Sequence, residues 1–191
     1  MVFPEMLKAG DTIGLAAPAF PVSREKRDAG VSLLEGMGYK VTMGDCLKNL
    51  YNFHGYLAGG ARERAGELNS LFRDPQVKAI FCARGGYGSA HILRYLDYDA
   101  IRANPKIFVG YSDITNLHAV FNQICGLVTF HGPMLATEMV PEFDRYSCES
   151  LFAALRIEPG RMLEFRNPQS KPPLGMLRPG SASGQLTGGN L

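Results

Sequence analysis

Short apolar runs alternate along the chain with segments that repeat at helical spacing. Residues 12–17 (TIGLAA) form a continuous apolar run closed by Pro18 and predict a strand. Residues 24–37 predict a helix with Val31, Leu34 and Met37 on one side, and Gly38 follows as a stop signal. A second strand is expected at 39–43. In residues 61–73 the apolar positions Ala61, Ala65, Leu68 and Phe72 fall at i, i+4, i+7 and i+11, an amphipathic helix ended by Asp74-Pro75. Further strands are expected at 77–83, 106–109 and 127–130. Further helices are expected at 88–96, 113–125 and 144–155.

Strands that are apolar on both faces and separated by helices predict an α/β fold: a parallel, doubly wound sheet of the Rossmann/flavodoxin-like kind with helices on both faces. The pattern assigns 1–145 to this N-terminal domain. It assigns 146–180 to a helix and a Pro/Gly-rich interdomain linker, densest over 166–180. Residues 181–191 read as the beginning of a second, small C-terminal domain; ten residues cannot bury a core, so either the rest of that domain is missing or this tail packs on the first domain.

Composition narrows the function classes. The chain has 191 residues, 46% hydrophobic and 20% charged, with a net charge of +2. No Lys/Arg run stands out, so neither nucleic acid nor an anionic membrane surface is an expected partner. No stretch approaches the roughly 20 apolar residues of a membrane helix. The opening MVFPEMLKAGD carries acids and lacks a basic segment before a long apolar one, so no secretory leader is expected and a cytoplasmic location is. The four cysteines (Cys46, Cys82, Cys125, Cys148) form no CxxC pair and do not follow zinc spacing. They read as inert thiols of a reducing compartment. No metal site and no cofactor are expected.

In an open parallel sheet, ligands bind beyond the carboxyl ends of the strands. The segments expected on that rim are Pro18–Phe20, Arg84–Gly88, Gly110–Asp113 and His131–Pro133. At 106–115 an apolar strand runs into Gly110, then Tyr111, then Ser112, then a helix opening with Asp113. A tight strand-to-helix turn of this kind holds a hydroxyl out over the sheet edge, beside unpaired helix N–H groups that stabilise an oxyanion. The match is partial, because Ile114 stands where Gly-x-Ser-x-Gly has glycine. Ser112 therefore reads either as a nucleophile or as the N-cap of helix 113–125.

The loop Arg84-Gly-Gly-Tyr-Gly-Ser89 is glycine-rich but is neither a P-loop nor GxGxxG. Its amides can donate to an anion, or it is a plain strand-helix turn. The histidines complete no triad. His118 lies about 600° around the helix from Ser112 and reads as structural. His131 lies on the rim and can line the pocket. His54 and His91 read as surface residues or satisfied partners.

Taken together, these residues resemble the LD-carboxypeptidase (muramoyltetrapeptide carboxypeptidase) family of serine peptidases, which includes the microcin-immunity-type peptidases. The resemblance covers nearly the whole chain. It rests on Gly10-Asp11-x-Ile13-x-Leu15-x-Ala17-Pro18, Arg84-Gly-Gly-Tyr-Gly88, Gly110-Tyr-Ser-Asp-Ile-Thr115, His131-Gly-Pro133 and Gly184-Gln-Leu-Thr-Gly-Gly-Asn-Leu191. Each piece is weak alone; their order and spacing are specific.

The resemblance implies a cytoplasmic hydrolase of peptidoglycan recycling that releases the terminal D-alanine from muropeptide tetrapeptides. Ser112 is then the nucleophile, and the backbone N–H groups of Asp113 and Gly86 form the oxyanion hole. Arg84, Gly85, Tyr87 and His131 would line the substrate site. The family implies no metal and a homodimer when full-length. It also places the Glu and His of the triad in a C-terminal domain, whose opening Gly-Gly-Asn-Leu ends this chain, so a truncated product is expected. Two other readings stay open: a peptidase of the same family that gives self-immunity to a peptide-nucleotide antibiotic, and a non-catalytic α/β module that binds a small anion.

Overall fold

The computed structural model describes residues 1–158, 160–164, 166, 175, 179–181, 183, 184, 189 and 190. Five strands form one sheet: β1 (Thr12–Ala16), β2 (Lys40–Met43), β3 (Val77–Cys82), β4 (Ile107–Gly110) and β5 (Phe130–His131). Their spatial order is β2-β1-β3-β4-β5, and every pairing is parallel. This is the flavodoxin-like order, with its switch point between β1 and β3.

Alternation along the strands divides the interior in two. On β3 and β4, Ala79, Phe81, Ile107 and Val109 join one apolar cluster, while Ile80, Cys82 and Phe108 join the other. Helices α1 (Arg24–Gly36) and α6 (Arg145–Leu155) close the first cluster through Leu34, Leu151, Phe152 and Leu155. Helices α3 (Ala61–Arg73), α4 (Tyr98–Ala103) and α5 (Thr115–Cys125) close the second through Leu68, Phe72, Ile101, Leu117 and Phe121. The sheet is thus covered on both faces, as the both-face apolar strands predict.

Local signals set the helix ends. Ser23 Oγ accepts the Lys26 N–H at the start of α1, and Asp144 Oδ1 accepts the Ser147 N–H at the start of α6. Gly38 takes φ +88 just past α1, where glycine meets no steric penalty. Pro75 follows directly on Asp74, which ends α3.

Several elements depart from expectation. The helix expected at 88–96 is a 3₁₀ turn over Ser89–Tyr95, and a further helix α4, capped by Asp97, follows it. A short helix α2 (Asp45–Lys48) and a π-turn over Leu135–Met139 also appear. The fifth strand contains only Phe130 and His131, so His131 ends it rather than follows it. Helix 113–125 begins as a 3₁₀ turn at Ser112–Ile114 and turns α-helical at Thr115. The linker expected over 166–180 and the strand and turn expected over 183–191 lie mostly outside the described residues.

Candidate active site

The carboxyl ends of β1, β3 and β4 bring three loops to one rim. The Phe20 N–H donates to the Gly85 carbonyl at 3.2 Å, across the switch point. The Gly85 backbone in turn lies against the turn after β4. A Cβ added at Gly85 would stand 3.2 Å from Ser112 Cβ, 3.3 Å from the Tyr111 carbonyl oxygen and 3.4 Å from the Asp113 amide nitrogen. A side chain here would press directly on the Ser112 turn. Gly86, at φ +114, packs on the Phe20 ring, which a Cβ would meet at 2.4 Å.

Ser112 has φ +61, in the left-handed region that L-residues avoid. Holding it there costs on the order of 1–3 kcal/mol, and such strain persists where the surroundings enforce it. The surroundings are visible. Ser89, fully buried, donates its N–H to Asp113 Oδ2 at 2.8 Å and its Oγ–H to the Asp113 carbonyl at 2.5 Å. Asn116 Nδ2 donates to Ser89 Oγ and to the Asp113 carbonyl, each at 3.0 Å. The Tyr111 hydroxyl donates to Glu138 on the π-turn, a bond that pushes the phenol above its usual range. The serine turn is therefore held on both sides of Ser112, to the glycine loop through Asp113 and to the π-turn through Tyr111.

Ser112 caps neither the 3₁₀ turn nor α5 through its side chain. Its Oγ makes no hydrogen bond among the described residues, and the residue is half-buried. Of the two readings left by the sequence, the geometry therefore offers no capping role. What it offers is a free hydroxyl on a strained turn, with glycine-loop backbone beside it.

His118 is structural, as its position around the helix predicts. It is buried, with Nε2 and Nδ1 each 2.8 Å from a partner: the Gly110 carbonyl and Thr129 Oγ1. A carbonyl only accepts, so Nε2 carries the proton and Nδ1 accepts from the threonine hydroxyl. Burial pushes the imidazole below its usual range, so it stays neutral and fixes the strand end two residues before Ser112. His131 is exposed, packs edge-on to Tyr111 at 5.9 Å, and lines a groove of about 800 Å³ between α5 and α6. His91 meets the Tyr87 hydroxyl at 3.3 Å, and exposed His54 packs on the Phe53 ring.

Arg84 is half-buried, with its guanidinium over the Phe20 ring at 5.4 Å. Tyr87 is exposed and stands 6.5 Å from Tyr56, centroid to centroid. At the far end of the described chain, the Asn190 N–H donates to Thr115 Oγ1 at 3.0 Å, three residues past Ser112.

Two buried charges on α3, Arg64 and Glu67, complete the rim and are not marked by any sequence motif. Arg64 donates to the carbonyls of Gly59, Pro18 and Gly88, so one guanidinium ties together three rim loops. Glu67 accepts the N–H groups of Ala17 and Leu47, at 3.0 and 3.2 Å, and burial pushes its carboxyl up to about 7. The available signal was positional: Arg64 and Glu67 sit at helical spacing from Leu68 and Leu71 and flank the apolar stripe. Glu138, which holds Tyr111, carried no such signal. The cysteines are free thiols, and burial pushes Cys46 up to about 12, the direction of an inert thiol. Among the described residues no group of three His, Cys, Asp or Glu side chains forms a metal cage, and no helix is long and apolar enough to cross a membrane.

Residues 13–132 match the family model of the LD-carboxypeptidase N-terminal domain. The chain belongs to the LD-carboxypeptidase family. A relative in Bacillus subtilis (strain 168), named "Probable murein peptide carboxypeptidase", is 45% identical over 98% of this chain and 57% of its own length. The microcin C7 self-immunity protein MccF of Escherichia coli is 41% identical over 73% of this chain and 40% of its own. The structure of MccF in complex with aspartyl sulfamoyl adenosine superposes with a TM-score of 0.81 at 33% identity, covering 88% of this chain and 51% of that one. The chain thus spans about half the length of these relatives.

Proposed function

We propose that this chain is the nucleophile domain of a serine-type LD-carboxypeptidase, which releases the terminal D-alanine from murein tetrapeptides. The observation that carries the reading is the strained φ of +61 at Ser112, pressed against Gly85 with its hydroxyl free. Ser112 Oγ attacks the scissile carbonyl and gives its proton to a base. The N–H groups of Asp113 and Gly86 receive the oxyanion. The base then protonates the departing amine of D-alanine, and water hydrolyses the acyl-serine.

Among the described residues no base is hydrogen-bonded to Ser112 Oγ, and both nitrogens of His118 are engaged elsewhere. The resemblance assigns that base, and the Glu that orients it, to a C-terminal domain. The contact of Asn190 with Thr115 supports this assignment, because it brings residues 189 and 190 beside the nucleophile turn. The complete enzyme would then be a homodimer acting on a small peptide in the cytoplasm.

The test uses the whole reading frame that carries residues 1–191. It should release alanine from an L,D-tetrapeptide and leave the all-L isomer intact; equal hydrolysis of both would refute the stem-peptide reading. The likeness to MccF favours a second reading, in which the same serine cleaves an aminoacyl sulfamoyl nucleoside. Turnover of that compound with none of the tetrapeptide would select it.

A further inference from the structure

We infer that Arg84 anchors the free carboxylate of the departing residue, and so makes the enzyme a carboxypeptidase rather than an endopeptidase. The inference rests on the reading above and adds a specificity-determining residue to it. Among the described residues Arg84 makes no hydrogen bond and no ion pair, and its guanidinium stacks on Phe20. Arg27, Arg73, Arg102 and Arg145 by contrast each face a carboxylate. A half-buried arginine whose guanidinium N–H groups are unpaired among the described residues is poised for an anion, and its planar fork fits a carboxylate bidentately.

Its place is set by the backbone. Gly85 touches the Ser112 turn, and the Arg84 α-carbon is about 3.8 Å from that of Gly85. The Phe20 ring that carries the guanidinium fills the space against Gly86, whose N–H is the second oxyanion donor in the proposed mechanism. Anion anchor and oxyanion donor therefore sit two residues apart on one loop. In a terminal amino acid the carboxylate carbon is likewise only two bonds from the scissile nitrogen. Stacking on Phe20 limits the rotamer freedom that an arginine loses on binding.

The experiment compares kcat/KM of the whole protein on an L,D-tetrapeptide and on its C-terminal amide. Wild type should prefer the acid by about 10- to 100-fold, the worth of one charge-assisted pair. Arg84→Met should lose activity on the acid alone, bringing the ratio near one. Arg84→Lys should restore part of the preference. An unchanged ratio in Arg84→Met, or equal losses on both substrates, overturns the anchor while leaving the proposed reaction standing. A wild type inactive on the tetrapeptide instead overturns the reaction itself, and the anchor with it.

Discussion

Ser112 stores strain that a glycine would not feel. Ser112→Gly and Ser112→Ala both remove the hydroxyl, but only glycine populates positive φ freely. The glycine variant should therefore be more stable than the alanine variant by about 1 kcal/mol in urea denaturation. Equal stabilities would mean that the φ of +61 is not enforced in solution. Glu67 gives a pH test. Folding lifts its carboxyl from 4.5 to about 7, so between those values the folded state keeps a proton that the unfolded state has lost. Stability from this group falls as pH rises through that window, by about 3 kcal/mol at most, and is flat above it. Buried His118 acts in the opposite sense, since its lowered pKa makes stability fall as pH drops below 6.5. Glu67→Gln should remove the first slope and leave the second. Denaturation midpoints from pH 4.5 to 8 that run parallel in both proteins would contradict the assignment.

Helix α3 does two jobs. Its apolar stripe of Ala65, Leu68 and Phe72 packs on the sheet, and Arg64 beside it gathers the loops that build the rim. Arg64→Met would strip the donors from three carbonyls, in a place where the guanidinium is fully buried. The expected loss is about 3 kcal/mol or more, together with faster proteolysis at 51–60 and 84–89. Unchanged stability would show that water replaces the guanidinium without cost. At this scale the sequence was partly legible. The stripe on α3 and the alternating strands are carried by apolar periodicity, which burial enforces. The 3₁₀ turn at Ser89–Tyr95 and the short α2 are not, because they are held by tertiary contacts. Ser89 is fixed by Asp113, 24 residues away, and the Leu47 N–H of α2 is held by Glu67. Arg64 was hidden for a related reason: a charge inside is stable only through partners that the fold assembles.

The molecule as a whole is a sheet of order β2-β1-β3-β4-β5 whose switch point opens toward the rim that holds Ser112. That rim was legible because the rule for open parallel sheets converts strand ends into a site. Its stitching through Ser89, Asn116 and Glu138 was not, since it joins residues distant in the chain. In the proposed reaction Ser112 forms the covalent bond to substrate. The most direct measurement is D-alanine release from an L,D-tetrapeptide by the whole reading frame and by its Ser112→Ala variant. The alanine variant should lose about 10⁴-fold or more in kcat with the fold intact. Release by the alanine variant at the wild-type rate would contradict this role of Ser112.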